Sequence, residues 1–410
     1  MNLVFRYGSG RSLELSLAEG ALVAACGEPA SVPVDDVATA LETTLDQPLD
    51  YPPLCQAITP GDRVVLAVER GVPQADVLVA ATIGYLVRHG IAPDGITVLQ
   101  PPAEIGTEPQ DLRQRLPDQW RQHVSLVTHE PDNAGHLAYL AMSHENEAIL
   151  LNRALTDADV VLPIGVLCPE NTPGYFGPHG VIYPTFANRK AQQRFRSPNV
   201  MHVHGKRSIK LHGEVEEIAW LLGVTFGVQV VPGSGDSILR ILAGECSAVG
   251  RQGRASYDQA WENSTPGRAS LVVGAISGGP GQQTWSNLGR ALAAASALVE
   301  EGGAVALCCD LAASPGPGVK GLSEVESPSE VLDLIRKVRP DDIFTALQIA
   351  RSLEQSRLYL LSGLDSTLVE QLNMIVIEGP EQVLRLIERH PSCILLANAQ
   401  QAIVTVESES

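Results

Sequence analysis

From residue 62 onward the chain alternates short apolar runs with amphipathic stretches. Arg63 to Val68 is apolar after its first residue and predicts a strand buried on both faces. Between Gln74 and Arg88, the residues Val77, Ala81, Ile83, Gly84 and Leu86 share one broad side. That spacing predicts a helix, which Gly90 ends, and Ile96 to Leu99 predicts the next strand. The alternation recurs through Val124 to Val127, Asp159 to Val166, a helix over Glu214 to Leu222 and a strand over Thr225 to Val231. Such repeated βαβ units predict a largely parallel sheet with helices on both faces.

Arg251 to Arg268 is polar, with a short helix expected at Tyr257 to Trp261, and the pattern then restarts. It predicts a strand over Ala269 to Ile276, a glycine-rich turn, a helix over Trp285 to Glu300 and a strand over Ala304 to Cys308. Helices over Asp341 to Glu354 and Glu381 to His390 alternate with strands at Leu358 to Leu361 and Cys393 to Leu396. The expected fold is α/β: two α/β domains with mostly parallel sheets, over 1–262 and 263–410, and a cleft between them. Ser314 to Gly321, rich in Gly and Pro, is read as a mobile loop beside that cleft.

Length supports the division, because 410 residues exceed one compact core. Hydrophobic residues at 44% and charged ones at 19% exclude a mostly disordered chain. The charge, 29 Lys+Arg against 47 Asp+Glu or −18, repels phosphate backbones and anionic membranes, so no nucleic acid and no membrane partner is expected. An anionic substrate would need a local cation. The start Met1-Asn2-Leu3-Val4-Phe5-Arg6 lacks a signal peptide's pattern, and no window has the 18 or so apolar residues of a membrane span, so a cytoplasmic protein is expected. Seven cysteines without CxxC spacing read as reduced thiols. Cys308-Cys309 is read as two faces of one buried strand, with a redox or metal pair as the alternative.

In α/β sheets ligands sit beyond the carboxyl ends of strands, which directs attention to four places. Glu69-Arg70 leaves the first strand as a charged pair, suited either to clamping a polar substrate or to capping and solvation. The run Cys168 to Pro184, dense in Gly and Pro, contains His179 as a ligand, a base or a solvated side chain. His202 and His204 share one face of an extended segment but have no third metal ligand at motif spacing. Ser277-Gly278-Gly279-Pro280-Gly281 joins strand to helix, where free N–H groups could hold an anion, although it matches no nucleotide motif.

In order and spacing, these places resemble the nickel-dependent lactate racemase (LarA-like) family over nearly the whole chain. The family's D-x-T-R-P corresponds to Glu69-Arg70-Gly71-Val72-Pro73. Its P-H-x-x-A-G-Y-S-G-G-x-K-x-x-x-P loop corresponds to Pro169-Glu170-Asn171-Thr172-Pro173-Gly174-Tyr175-Phe176-Gly177-Pro178-His179-Gly180-Val181-Ile182-Tyr183-Pro184, preceded by Leu151-Asn152-Arg153-Ala154-Leu155 and Asp157-Ala158-Asp159. Its GG turn and Q-x-x-K helix correspond to Gly278-Gly279-Pro280 and Asn287-Leu288-Gly289-Arg290.

The resemblance implies two α/β domains around an active site that passes a hydride to a nickel-pincer nucleotide and back. Carried over residue by residue, the lysine tether of that cofactor falls on Gly180 and the nickel histidine on Glu170. The GxHR base falls within Leu99 to Glu104, which has no histidine, and the other catalytic histidine falls near Arg196. The family's aspartate becomes Glu69, its substrate arginine Val72, and its glutamine and lysine become Asn287 and Arg290. The implied reading is scaffold kept, nickel chemistry lost, with no cofactor and no metal ligands expected. The cleft would hold a small anionic ligand, a 2-hydroxy acid or nucleotide-like molecule, through Arg70, Tyr175, Arg196, Asn287 and Arg290. The alternative is a working isomerase, a 2-hydroxy acid racemase or epimerase, with Glu69, Glu104, Glu170 and His179 as substitute groups. A third reading is a non-catalytic subunit paired with an active paralogue.

Overall fold

The computed structural model describes residues 2–16, 20–143, 146–169, 172–196, 206–325, 330 and 339–407. Val64–Val68, buried at every position, is the centre of a six-stranded sheet. On one side of it lie Ile96–Gln100 and Ser125–Thr128; on the other lie Val160–Val166, Phe226–Pro232 and Ile238–Glu245. All neighbours are parallel except the last pair. The chain therefore reverses its direction of progress across the sheet between Val64–Val68 and Val160–Val166. A crevice opens where successive connections leave to opposite faces, so a ligand site is expected past Val68 and Val166.

The second sheet repeats this plan with every neighbour parallel, in the order Ile375–Val376, Arg357–Leu361, Val299–Cys308, Ala269–Ala275, Cys393–Leu396, Leu22–Cys26. Its reversal lies between Ala269–Ala275 and Cys393–Leu396, so its crevice is beyond Ile276 and Ala397. The helices predicted around both sheets form. Ala75–Arg88 buries Leu78, Val79, Ile83 and Leu86, and Trp285–Ser296 buries Trp285, Leu288, Leu292 and Ala295. Thr284 caps the latter by accepting the Asn287 N–H at 3.2 Å. No helix among the described residues is long and apolar enough to cross a membrane.

Three features correct the sequence reading. The start of the chain does not belong with residues 27–262. Leu22–Cys26 adds the edge strand beside Cys393–Leu396, and the hairpin Asn2–Tyr7/Arg11–Ser16 packs Phe5, Tyr7, Leu13 and Leu15 on the same sheet. The polar stretch after Arg251 is the second half of an unbroken helix, Cys246–Trp261, whose buried side carries Val249, Gly253, Tyr257 and Trp261. The loop Ser314 to Gly321 contains a short helix, Pro317–Lys320, held by Asp342, which accepts the Gly318 and Val319 N–H groups at 2.8 and 3.0 Å. Cys308 and Cys309 do lie on opposite faces, in separate apolar clusters, and burial pushes both thiols up.

A seam joins the domains behind the crevices. Glu262–Thr265 pairs in parallel with Ile403–Val406. Asn398 donates to the Gly27 carbonyl at 3.0 Å and faces the Ser234 hydroxyl at 2.9 Å. The buried Tyr257 hydroxyl donates toward the Gln401 carbonyl at 2.8 Å and lies 3.0 Å from its Oε1. Tyr257→Phe should cost about 1–2 kcal/mol in urea denaturation, because it leaves those buried acceptors without their donor.

Candidate functional site

The two crevices face each other across a cavity of about 1120 Å³. Its floor on the first domain is Glu69, which follows Val68, and the strand end Val166 to Cys168. The second domain contributes the turn Gly279 to Thr284 and the exposed side of the first turns of Trp285–Ser296. Both sets of residues are there because apolar strands end at Val68, Val166 and Ala275 and the chain must turn away from the sheets.

Glu69 Oε2 accepts the Val166 N–H at 3.0 Å, across the reversal point. Burial between the walls pushes this carboxyl up to about 7, against the opposing pull of the Val166 N–H, Arg290 and Arg70. A carboxyl with that value exchanges a proton at neutral pH, which is what acid–base chemistry needs. Arg290 enters from the facing helix. Its Nη1 donates to Cys168 Sγ at 3.3 Å, its Nη2 donates to Asn287 Oδ1, and its Nε has no partner among the described residues. Asn287 is itself fixed by donation to the Gln282 carbonyl at 2.7 Å. Burial raises the Cys168 thiol, while Arg290 pulls it down and Glu69 pushes it up. Tyr175 lines the same space, and burial raises its phenol well above its ordinary value, so it remains a hydrogen-bond donor.

Of the residues singled out from sequence, Glu69, Arg70, Tyr175, Asn287 and Arg290 therefore meet at one cavity. Arg70 stands at its exposed rim, with Nε and Nη2 donating to the Pro102 carbonyl at 3.2 and 2.8 Å. Arg196 does not reach the lining. It ends the helix Arg189–Phe195 and pairs with Asp341, a residue that Arg189 also holds at 2.8 Å. His179 is likewise displaced: it lies in the short helix Pro178–Val181, with Nδ1 2.8 Å from Glu216 Oε2, and does not line the cavity. The packing of that helix on Lys206–Leu221 and Cys246–Trp261 turns it toward its own domain. Glu170 and the pair His202 and His204 lie outside the described residues. Glu104 lines the cavity, but its Oε1 accepts the Ser286 N–H at 2.9 Å and lies 3.1 Å from the Ser286 hydroxyl, tying the two domains together. The glycine turn is not an open anion cradle. The Gly278 N–H donates to the Gly8 carbonyl at 3.0 Å and the Gly279 N–H to Asp236 Oδ2 at 2.6 Å.

The sequence reading missed Cys168 as a cavity residue and four glutamines: Gln100, Gln282, Gln348 and Gln401. A signal for Gln348 was available. In the helix Ile343–Gln355, Thr345, Gln348 and Ser352 recur at one face and are all buried.

The sequence model of the lactate racemase N-terminal domain matches residues 7–207. Residues 7–207 of the chain carry that domain. Over 99% of its length the chain superposes on the whole of the lactate racemase apoprotein from Thermoanaerobacterium thermosaccharolyticum, with a TM-score of 0.79 at 15% identity. A protein from Thermotoga maritima, solved in a structural genomics programme, aligns with 92% of this chain and 100% of its own at a TM-score of 0.68 and 12% identity. No curated protein matches the sequence. The lactate racemase fold is therefore present in both domains, at identities that establish architecture and leave the chemistry to the residues of the site.

The residues present do not fit the nickel-pincer nucleotide that the family resemblance implies. Position 180 is glycine, with no side chain to form a covalent tether, and it does not line the cavity. A Cβ there would stand 3.1 Å from the Phe176 Cβ, tighter than nine in ten real contacts. Among the described residues no three His, Cys, Asp or Glu side chains are grouped to hold a metal ion.

Proposed function

We propose that this LarA-like protein binds a small 2-hydroxy carboxylate in the cleft between its domains and does so without nickel-pincer chemistry. The observation that carries the reading is the pairing, from opposite domains, of the Arg290 guanidinium and the Glu69 carboxyl. Arg290 is anchored by Asn287 and Cys168, yet keeps an unpartnered N–H. A guanidinium so oriented suits a carboxylate's two oxygens. Glu69, protonated below about pH 7, can donate a hydrogen bond to the same ligand instead of repelling it. Seven unpaired cysteines support a reducing compartment, the cytoplasm, as the place of action.

The test is calorimetry with a panel of 2-hydroxy carboxylates at pH 6 and pH 8. Anion binding favours neutral Glu69, so affinity should fall by up to about tenfold as pH rises through 7. Absence of binding by every member of the panel at both pH values would overturn the proposal. A racemase reading keeps one support, because a carboxyl with a value of about 7 is suited to moving a proton. Deuterium exchange at the ligand's α-carbon in D₂O distinguishes it from binding alone.

A further inference from the structure

The strand Phe226–Pro232 is buried at every position and carries one polar side chain, Gln229. Its relative exposure is 0%, and neither its Nε2 nor its Oε1 has a hydrogen-bond partner among the described residues. A buried carboxamide is ordinarily satisfied, and one left open at both atoms costs free energy that an apolar side chain at the same place would not. Nothing in the strand's packing calls for it. Val228 and Val230 join the apolar cluster on one face of the sheet, and Gln229 points to the other.

On that other face lies Glu69. Gln229 is registered with Gly165 on the neighbouring strand, and carrying the register of Val68 with Ile164 one residue further sets Glu69 opposite the same glycine. Glu69, Gly165 and Gln229 thus form one row across three strands. Gly165 has no side chain to fill the middle of the row. A Cβ there would stand 2.3 Å from Gln229 Nε2 and 2.8 Å from Glu69 Oε2, so both groups lean over the glycine from opposite sides. Val181 Cγ2, 2.6 Å from the same point, roofs the space with a methyl group. Gln229 does not line the cavity, so it meets Glu69 from behind the wall on which a ligand would rest.

Among the described residues Glu69 accepts one hydrogen bond, from the Val166 N–H. A buried carboxylate calls for more than one donor once it is charged. Arg290 from the facing helix and Arg70 beside it favour the charge, while Cys168 and Tyr175, both buried, stand near it as neutral groups. His179, two residues before Val181, is turned to Glu216. The open Gln229 amide is a donor aimed at the carboxylate from the sheet itself, and its terminal torsion is soft enough to turn without moving the strand.

We infer that Gln229 is a positioning residue for Glu69: when the carboxyl ionises, the Gln229 amide turns its open N–H onto the carboxylate across Gly165 and holds the charge in place. The inference rests on Glu69 being a working group of the carboxylate site proposed above, but its first test needs no ligand.

Urea denaturation of the full chain from pH 5 to pH 9, compared with Glu69→Gln, reads the Glu69 proton through stability. Glu69 titrates near 7 in the fold, above its ordinary value, so stability declines with rising pH until the folded group ionises and then levels off. Gln229→Met keeps the bulk of the side chain and removes the donor. The charged form is then less favoured, and the levelling should come near pH 8 instead of near 7, an about tenfold change in proton affinity. In a Glu69→Gln background the same substitution should have an effect that does not vary with pH. Should Gln229→Met fail to fold, the Gln229 side-chain amide resonances of the ¹⁵N-glutamine-labelled parent give a second reading: they should titrate with a midpoint near 7 and lose that titration in Glu69→Gln. An unmoved levelling point in Gln229→Met, or amide resonances that stay constant from pH 5 to pH 9, would overturn the inference and leave the carboxylate reading standing. A levelling point moved to near pH 8 with no carboxylate bound by the parent would remove that reading and leave Gln229 acting on the Glu69 proton.

Discussion

Arg290→Ala is expected to weaken binding of a 2-hydroxy carboxylate by at least about a hundredfold, or about 2.7 kcal/mol. The size follows from where the guanidinium sits. It lines the cavity, is anchored at two of its nitrogens by Cys168 and Asn287, and has its third nitrogen buried without a partner. A charge held that way meets its partner with little rotamer entropy left to lose and little water between them. Removing it also takes away a positive charge that acts on Glu69, and above pH 7 that carboxylate repels an anion. Arg290→Lys keeps the charge without the planar fork and should recover only part of the affinity. Arg70→Ala is the control, because Arg70 lies exposed at the rim and its donors are committed to Pro102, so a change of less than about threefold is expected. Calorimetry at pH 6.5 separates these outcomes. Equal losses from Arg70→Ala and Arg290→Ala would mean that a diffuse field, and not one guanidinium, holds the ligand.

How much of this was legible in the sequence depends on whether the cause was local. Val64–Val68 and Ala269–Ala275 announce themselves because a parallel strand buried on both faces is a continuous apolar run. Glu69 and Arg290 could be picked out because they follow such a run or sit one turn into the next helix. The place of Leu22–Cys26 was not legible, since its partner Cys393–Leu396 is some 370 residues away and local pattern carries no strand order. His179 and Arg196 were misplaced for a related reason. A Gly- and Pro-rich loop gives no periodicity from which to read a direction, and only the packed fold shows His179 facing Glu216 and Arg196 facing Asp341. The glutamines escaped notice because single carboxamides at strand ends and turns are ordinary in a sequence. They become informative only when four of them open onto one space.

The second large effect concerns stability and follows from the same carboxyl. Glu69→Gln is expected to stabilise the protein at pH 8 by up to about 3 kcal/mol. In the fold the carboxyl titrates near 7, whereas in an unfolded chain it titrates near its ordinary 4.5. The folded state therefore holds the proton more tightly. Below pH 4.5 both states are protonated and nothing is lost; as pH rises from 4.5 to 7 the unfolded chain alone gives up its proton, and stability declines by about 1.4 kcal/mol per pH unit. Beyond 7 the folded group ionises too and the decline stops. Glutamine carries no such penalty, and its oxygen can still accept the Val166 N–H that Glu69 now receives. Urea denaturation should show the gain in full at pH 8 and less than about 1 kcal/mol of it at pH 5. A gain of equal size at both pH values would show that packing, not ionisation, is responsible. The same substitution should make carboxylate affinity independent of pH between 6 and 8. A protein that keeps an ionisable carboxyl where glutamine is more stable is holding strain at a site that needs a proton.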